Sequence, residues 1–134
     1  MAAVPAPAVT SGRRAALWVP VVVYLILIFV LSAQPNPPLP QAMTDKQGHS
    51  LGYFGLAVVV SRALAGGLLY GVGPGVAAGA WAGSVAYAAS DEWHQSFVPG
   101  RSAEVNDWYA DAIGALAGAG ACWAWGIIRS RADV

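Results

Sequence analysis

The residues that could do chemistry in this chain lie in three short segments. In the first, Asp45, His49 and Tyr53 are four residues apart, so an α-helix would place them on one stripe, with Lys46 beside it. A carboxylate, an imidazole and a phenol on a common face can transfer protons, bind a metal ion or hydrogen-bond to one another. The sequence leaves His49 open as a proton carrier, a metal ligand or a hydrogen-bonded interfacial residue.

The second segment carries two adjacent acids. Asp91 and Gln95 are one helical turn apart, Glu92 flanks the same sector, and His94 is expected to point partly away from them. Adjacent carboxylates repel each other, so they require cations, protons or a metal ion nearby.

The third segment combines acids with small residues. Asp107, Asp111, Gly114 and Gly118 follow a spacing of four, three and four, which predicts a single helical stripe. Because glycines four residues apart let helices approach closely in lipid, this stripe is expected to face other helices.

The overall composition is that of a membrane protein. Of 134 residues, 57% are hydrophobic and 10% are charged, compared with about 25% charged in average soluble domains. The net charge is zero, so nothing in the composition favours nucleic acid as a partner. The single cysteine, Cys122, excludes a disulfide framework within one chain.

Four apolar segments predict an all-α, polytopic membrane protein, with four transmembrane helices in an antiparallel bundle. The predicted spans are 15–33, 47–69, 76–97 and 104–128, in a membrane domain of residues 15–129 with tails at 1–14 and 130–134. A cleaved signal sequence at the first span is the less favoured alternative, because further spans follow.

Local signals set the predicted helix ends. Thr44 and Gln47 form a capping-box pattern, which predicts a second helix from Asp45 to about Leu69. A GVGPG turn at 71–75 separates it from a third helix that begins near Val76, and the Pro-Gly pair at 99–100 is expected to end that helix. The fourth helix is expected from near position 102 to 129.

Charges divide between the two ends of such a bundle. One end would carry Arg13, Arg14, Arg62, Arg129 and Arg131. The other would carry two cations, Lys46 and Arg101, and the acids Asp45, Asp91, Glu92, Glu104, Asp107 and Asp111. By the positive-inside rule, both termini are predicted to be cytoplasmic and the acidic end to be extracytoplasmic in the cell membrane.

The three polar stripes are expected to converge, with Lys46 and Arg101 as partners of the acids, because unpaired charges are costly near lipid. Two interpretations remain open. In the first, the network is purely structural and fixes the register of the helices; in the second, it is a functional site.

Two stretches, DKQGHSLGYFGLA and SDEWHQSFVPGRSAEVNDWYADAIGALAG, resemble the paired signatures of the VanZ-like membrane proteins. The resemblance covers residues 45 to about 118 and also extends to the first span. Matching motif positions are Asp45, Lys46, His49, Tyr53, Asp91, Glu92, Gln95, Pro99, Arg101 and Asp107. Asp111 departs from the Asn that many members carry.

The resemblance implies a role in the cell envelope, with reduced susceptibility to the glycopeptide teicoplanin as one outcome, but it supplies no known reaction. A lipid-linked or cell-wall component is the expected partner besides the bilayer. The predicted binding residues are Asp45, Lys46, His49, Tyr53, Asp91, Glu92, Gln95, Arg101, Asp107 and Asp111.

The alternative is a membrane-embedded enzyme acting on a lipid or lipid-linked headgroup. Its catalytic candidates are His49 or Glu92 as general base, Asp91 and Asp107 as orienting groups, and Arg101 as a phosphate ligand. In a metal-dependent variant, Asp91, Glu92 and Asp107 with His49 would bind Mg²⁺, Ca²⁺ or Mn²⁺. A small transporter is a third interpretation, which would require oligomerisation.

Overall fold

The computed structural model describes residues 10–67 and 71–132. Within these residues the chain forms four α-helices and no strand: α1 (Ser11–Ser32), α2 (Asp45–Ala65), α3 (Pro74–Gln95) and α4 (Val105–Ala132). The predicted all-helical fold with four helices is therefore confirmed. Most of the predicted amino-terminal tail and the last two residues lie outside the described residues.

The start of α2 follows the predicted capping box. The backbone N–H of Gln47 donates to the Thr44 hydroxyl at 3.2 Å, and the Thr44 N–H donates to the Gln47 side-chain oxygen at 3.0 Å. The helix ends at Ala65, earlier than predicted, because Gly66 adopts a left-handed conformation with φ of 76° that caps it. The predicted end at Leu69 lies outside the described residues.

The bounds of α3 and α4 also differ from the prediction. Pro74 begins α3, two residues before Val76, because proline is tolerated in the first turn of a helix. The helix ends at Gln95, so the Pro-Gly pair at 99–100 belongs to the following turn. The last helix begins at Val105 and extends to Ala132, beyond the predicted end at 129.

The closest helix packing joins α2 to α4. A Cβ atom on Gly114 would overlap the backbone carbonyl of Ser50, and one on Gly118 would overlap the carbonyl of Phe54. The prediction that the glycine stripe faces another helix is therefore confirmed, and the partner is α2. Only glycine allows this separation of the two backbones.

Polar contacts gather at one end of the bundle. Lys46 in the first turn of α2 contacts Asp107 in the first turn of α4. Near the ends of α1 and α3, Phe29 stacks on His94 with ring centroids 4.4 Å apart. The last turns of α1 and α3 thus meet the first turns of α2 and α4, as in the predicted antiparallel arrangement.

Among the described residues, two helices, α1 and α4, are long and apolar enough to cross a membrane. The other two do not meet the same criterion. Their hydropathy is reduced by the polar first turn and Arg62 in α2, and by the Ala- and Gly-rich sequence and polar last turn of α3. Large apolar side chains on α1 are nevertheless exposed, including Val19 at 59% and Ile26 at 57%.

Candidate functional site

His49 lies between two carboxylates from different helices. Its Nδ1 atom is 2.8 Å from Oδ1 of Asp111 in α4, and its Nε2 atom is 3.8 Å from Oδ2 of Asp45, one turn earlier in α2. The Asp111 side chain is fully buried, and its second oxygen has no hydrogen-bond partner among the described residues. A buried carboxylate in this position fixes the orientation of the imidazole ring.

Lys46 connects the first turns of the same two helices at the exposed rim of the site. Its Nζ atom lies 3.1 Å from Oδ1 of Asp107 and 3.2 Å from Oε2 of Glu104. Hydrogen bonds to Asp107 and Glu104 raise the pKa of Lys46 above its ordinary value. The prediction that Lys46 pairs with the acids is confirmed.

Arg101 behaves differently from Lys46. Its guanidinium donates to the backbone carbonyl of Gln34 at 3.3 Å, and it forms no ion pair with a carboxylate within residues 10–67 and 71–132. The predicted pairing of Arg101 with an acid is therefore wrong. The turn that joins α3 to α4 directs this side chain toward the end of α1, and within the described residues the bond to Gln34 is the one side-chain hydrogen bond that Arg101 forms.

A buried hydrogen-bonded group links α2 to the last turns of α3. Oδ2 of Asp91 accepts hydrogen bonds from the Gln95 amide at 3.1 Å and from the Tyr53 hydroxyl at 3.4 Å. All three side chains are buried. The three predicted stripes therefore do converge, and Asp91 has neutral donors rather than a cation.

Glu92 lies deeper than its position at a helix end suggests. The residue is only 9% exposed, and neither carboxylate oxygen has a hydrogen-bond partner of normal length and angle among the described residues. The backbone amide of Glu104 is nearby. Because a buried carboxylate without partners is unfavourable, this side chain calls for a cation or a proton.

Two groups of side chains place potential metal ligands within 4.8 Å of one another in the described part of the chain. One contains Asp45, His49 and Asp107; the other contains His49, Glu92 and Asp111. Of the predicted set of Asp91, Glu92 and Asp107, the structure puts Glu92 and Asp107 in different groups and Asp91 in neither. His49 is common to both groups.

His94 is separated from these acids, as its position on the helix predicted. Its ring stacks on Phe29 of α1 at an interplanar angle of 16°. It holds α1 against α3 beside the site.

Two adjoining cavities border the polar cluster. The first, of about 110 Å³, lies between α1, the proline-rich connection, α2 and α3, and its walls include the apolar side chains Ile28, Leu31 and Leu39 above His49 and Tyr53. The second, of about 460 Å³, is lined largely by polar groups. The residues common to both cavities are Pro37, Leu39, Asp45 and Arg101.

A family model described as VanZ/LLP1 matches residues 9–128, which is most of the chain. The chain belongs to the VanZ/LLP1 family. The resemblance read from the motifs is thus confirmed, and no curated protein or solved structure matches the chain.

Membership in the VanZ/LLP1 family, which is membrane-associated, agrees with the two helices that could cross a bilayer. The matched region contains every residue of the two cavities and both potential metal-ligand groups. The polar cluster is therefore part of the family domain itself.

Some residues of this VanZ/LLP1 site were absent from the predicted set. Glu104 could have been included, because it lies three residues before Asp107 and so shares its helical sector. No motif or spacing in the sequence indicated that three residues of the proline-rich connection belong to the site, namely Gln34, Pro37 and Leu39. Their place in the site depends on how the proline-rich connection folds back over the helix ends.

Proposed function

We propose that this VanZ/LLP1 protein is a four-span membrane protein whose extracytoplasmic end binds a phosphate-bearing, lipid-linked component of the cell envelope. Reduced susceptibility to glycopeptides such as teicoplanin would follow if binding changed how that component is presented. The observation that carries the proposal is the pair of adjoining cavities, one with apolar walls and one polar, which share Arg101.

The proposed topology rests on the distribution of polar groups. The polar cluster occupies one end of the bundle, whereas Arg62, Arg129 and Arg131 belong to turns at the other end. An excess of arginine on one side favours the cytoplasm for that side, and with it both termini. In this arrangement α2 and α3 cross the membrane with their polar ends at the outer interface.

The two cavities fit the two parts of an amphiphile. Ile28, Leu31 and Leu39 offer an apolar wall to the first methylene groups of a lipid chain. The polar cavity beside them could take the headgroup. The guanidinium of Arg101 lies at the boundary, where a planar set of donors could bind a phosphate in a bidentate manner.

The test is lipid binding by the purified protein in nanodiscs, measured by native mass spectrometry. A polyprenyl phosphate should bind more tightly than phosphatidylcholine, and Arg101→Gln should weaken polyprenyl phosphate binding by about tenfold. Arg62→Gln, at the other end of the bundle, is the matched control and should bind as the unchanged protein does. Equal binding of the two lipids, or equal affinities for the Arg101 variant and the unchanged protein, would contradict the proposal.

The link to glycopeptides has its own test. Expression in a teicoplanin-sensitive host should raise the inhibitory concentration of teicoplanin, and Arg101→Gln should abolish the increase at the same level of membrane protein. An unchanged inhibitory concentration for the unmodified protein would remove teicoplanin from the proposal while leaving lipid binding to be judged separately.

The second candidate function is catalysis on a lipid headgroup. It is favoured by the 2.8 Å contact between His49 and Asp111, because a carboxylate that orients an imidazole is a common arrangement for a general base. The purified protein should then release headgroup from at least one phosphate-bearing lipid, and His49→Ala should stop the release when compared at an equal concentration of folded protein. No turnover across a broad panel of such lipids would count against catalysis.

A further inference from the structure

The group formed by His49, Glu92 and Asp111 contains three buried carboxylate oxygens that no described side chain satisfies. Among the described residues, neither the two oxygens of Glu92 nor Oδ2 of Asp111 have a hydrogen-bond partner of normal length and angle, although the Glu104 backbone amide lies near Glu92. Glu92 is only 9% exposed and Asp111 is fully buried. Buried carboxylates of this kind are unfavourable unless a cation or protons compensate them.

The nearby basic side chains do not provide that cation. Lys46 is engaged by Asp107 and Glu104 at the rim, and Arg101 donates to the carbonyl of Gln34. Neither Lys46 nor Arg101 forms an ion pair with Glu92 or Asp111 in the described structure. Among the described residues, the imidazole of His49 contacts Asp111 at 2.8 Å and lies within 4.8 Å of a carboxylate oxygen of Glu92.

The three side chains come from three helices and point to a common volume. Glu92 belongs to α3, His49 to α2 and Asp111 to α4, and one potential ligand atom of each lies within 4.8 Å of those of the other two. Small side-chain rotations would place each of these atoms about 2.0–2.2 Å from a shared ion, the metal-to-ligand distance found for Zn²⁺. The rigid packing of α2 on α4 holds two of the ligands in place.

From this geometry we propose that His49, Glu92 and Asp111 bind one divalent transition-metal ion, Mn²⁺ or Zn²⁺. The nitrogen ligand distinguishes the site from the Mg²⁺ or Ca²⁺ sites that carboxylates alone favour. Three protein ligands leave coordination positions for water or for an anionic ligand. The site does not depend on the lipid-binding proposal.

The experiment is metal titration of the purified, chelator-treated full-length protein, in detergent and in nanodiscs. Calorimetry should detect one Mn²⁺ or Zn²⁺ per chain, with Mg²⁺ binding far more weakly, and elemental analysis after dialysis should give the same stoichiometry. Glu92→Gln, which preserves the side-chain size, should lower the affinity by at least about tenfold. Circular dichroism of each variant shows whether it is folded.

Two variants make the assignment specific. Glu104→Gln removes a nearby acid that belongs to neither ligand group and should leave the affinity unchanged. Asp45→Asn removes a ligand of the alternative group with His49 and Asp107, and it should lower the affinity less than Glu92→Gln does, because Asp45 lies beside His49 but outside the proposed ligand set. Loss of binding in Asp45→Asn with normal binding in Glu92→Gln would overturn the assignment.

Absence of stoichiometric binding by the unchanged protein would also overturn it. The readout is metal content and affinity, so this result is separate from the lipid-binding experiment with Arg101→Gln. Binding of metal without binding of polyprenyl phosphate would support the metal site and refute the proposed function. Binding of polyprenyl phosphate without binding of metal would support the proposed function and refute the metal site.

Discussion

The imidazole Nδ1 of His49 and the carboxylate Oδ1 of Asp111 are 2.8 Å apart, although the residues are 62 positions apart in the chain. The contact joins the first half of α2 to α4 at the point where glycines bring the two backbones together. Burial of Asp111 makes this single hydrogen bond important, because its other oxygen has no partner in the described structure.

Replacing His49 by Ala should therefore destabilise the protein. Among the described residues, His49 is the one hydrogen-bond partner of the buried Asp111 side chain, so we expect the free energy of unfolding to fall by about 3 kcal/mol. Denaturant or SDS unfolding of the metal-free protein in detergent measures the effect. His94→Ala is the control for loss of a histidine, because His94 stacks on Phe29 and forms no ion pair with a carboxylate in the described part of the chain.

The same contact can be isolated by a double-mutant cycle. In an Asp111→Asn background, the buried charge is gone, so His49→Ala should cost less than in the original background by about 1–2 kcal/mol. Equal costs in both backgrounds would show that the charge of Asp111 contributes nothing to the stabilisation by His49.

Gly114→Ala should destabilise the α2–α4 contact. The added methyl group would overlap the Ser50 carbonyl, and the required separation of the helices should cost about 1–3 kcal/mol. Gly120→Ala in the same helix is the matched control, since a Cβ there meets nothing within 4 Å. The control should be neutral or slightly stabilising, because alanine is the better helix former. Equal unfolding midpoints for the two variants would refute the predicted close approach.

Lys46→Met should lower the unfolding midpoint more than Glu104→Gln does. The first change leaves the buried Asp107 without its cation, whereas the second removes a carboxylate that is 49% exposed. Exposed ion pairs contribute little because water and salt screen them. Unfolding at two salt concentrations should show that the effect of Glu104→Gln disappears at high salt and that most of the Lys46→Met effect remains. The reverse order of the two variants would contradict this account of the rim.

The proposed orientation predicts which positions a membrane-impermeant thiol reagent reaches in intact cells. In a Cys122→Ala background, Gln41→Cys and Ser102→Cys should be labelled from outside, and Ser11→Cys and Ser130→Cys only after permeabilisation. All four original residues are exposed in the structure, so a cysteine at each position can react with the reagent. Asp91 and Asp107 of the polar cluster are less suitable positions, because both are buried and a cysteine there would react poorly in either orientation. Labelling of the second pair in intact cells would reverse the topology and the envelope proposal with it.

Much of the helical architecture could be predicted from local sequence. The capping box at Thr44 and Gln47 fixed the start of α2 because its two hydrogen bonds involve residues only three positions apart. The stripe of Gly114 and Gly118 predicted a helix contact because helical periodicity alone puts both residues on one face. The end of α2 was missed, since the choice of Gly66 as its cap depends on the local backbone conformation.

The sequence by itself determined which polar residues share a face and which end of each helix carries them, because these relations depend only on helical periodicity. It could not determine the partners across helices. Tertiary structure decided that Asp111 pairs with His49 and that Arg101 donates to the Gln34 carbonyl instead of to an acid. It also decided that Asp91 accepts hydrogen bonds from Tyr53 and Gln95. These choices depend on the rotation and separation of packed helices and on the path of the proline-rich connection, which residue spacing does not encode.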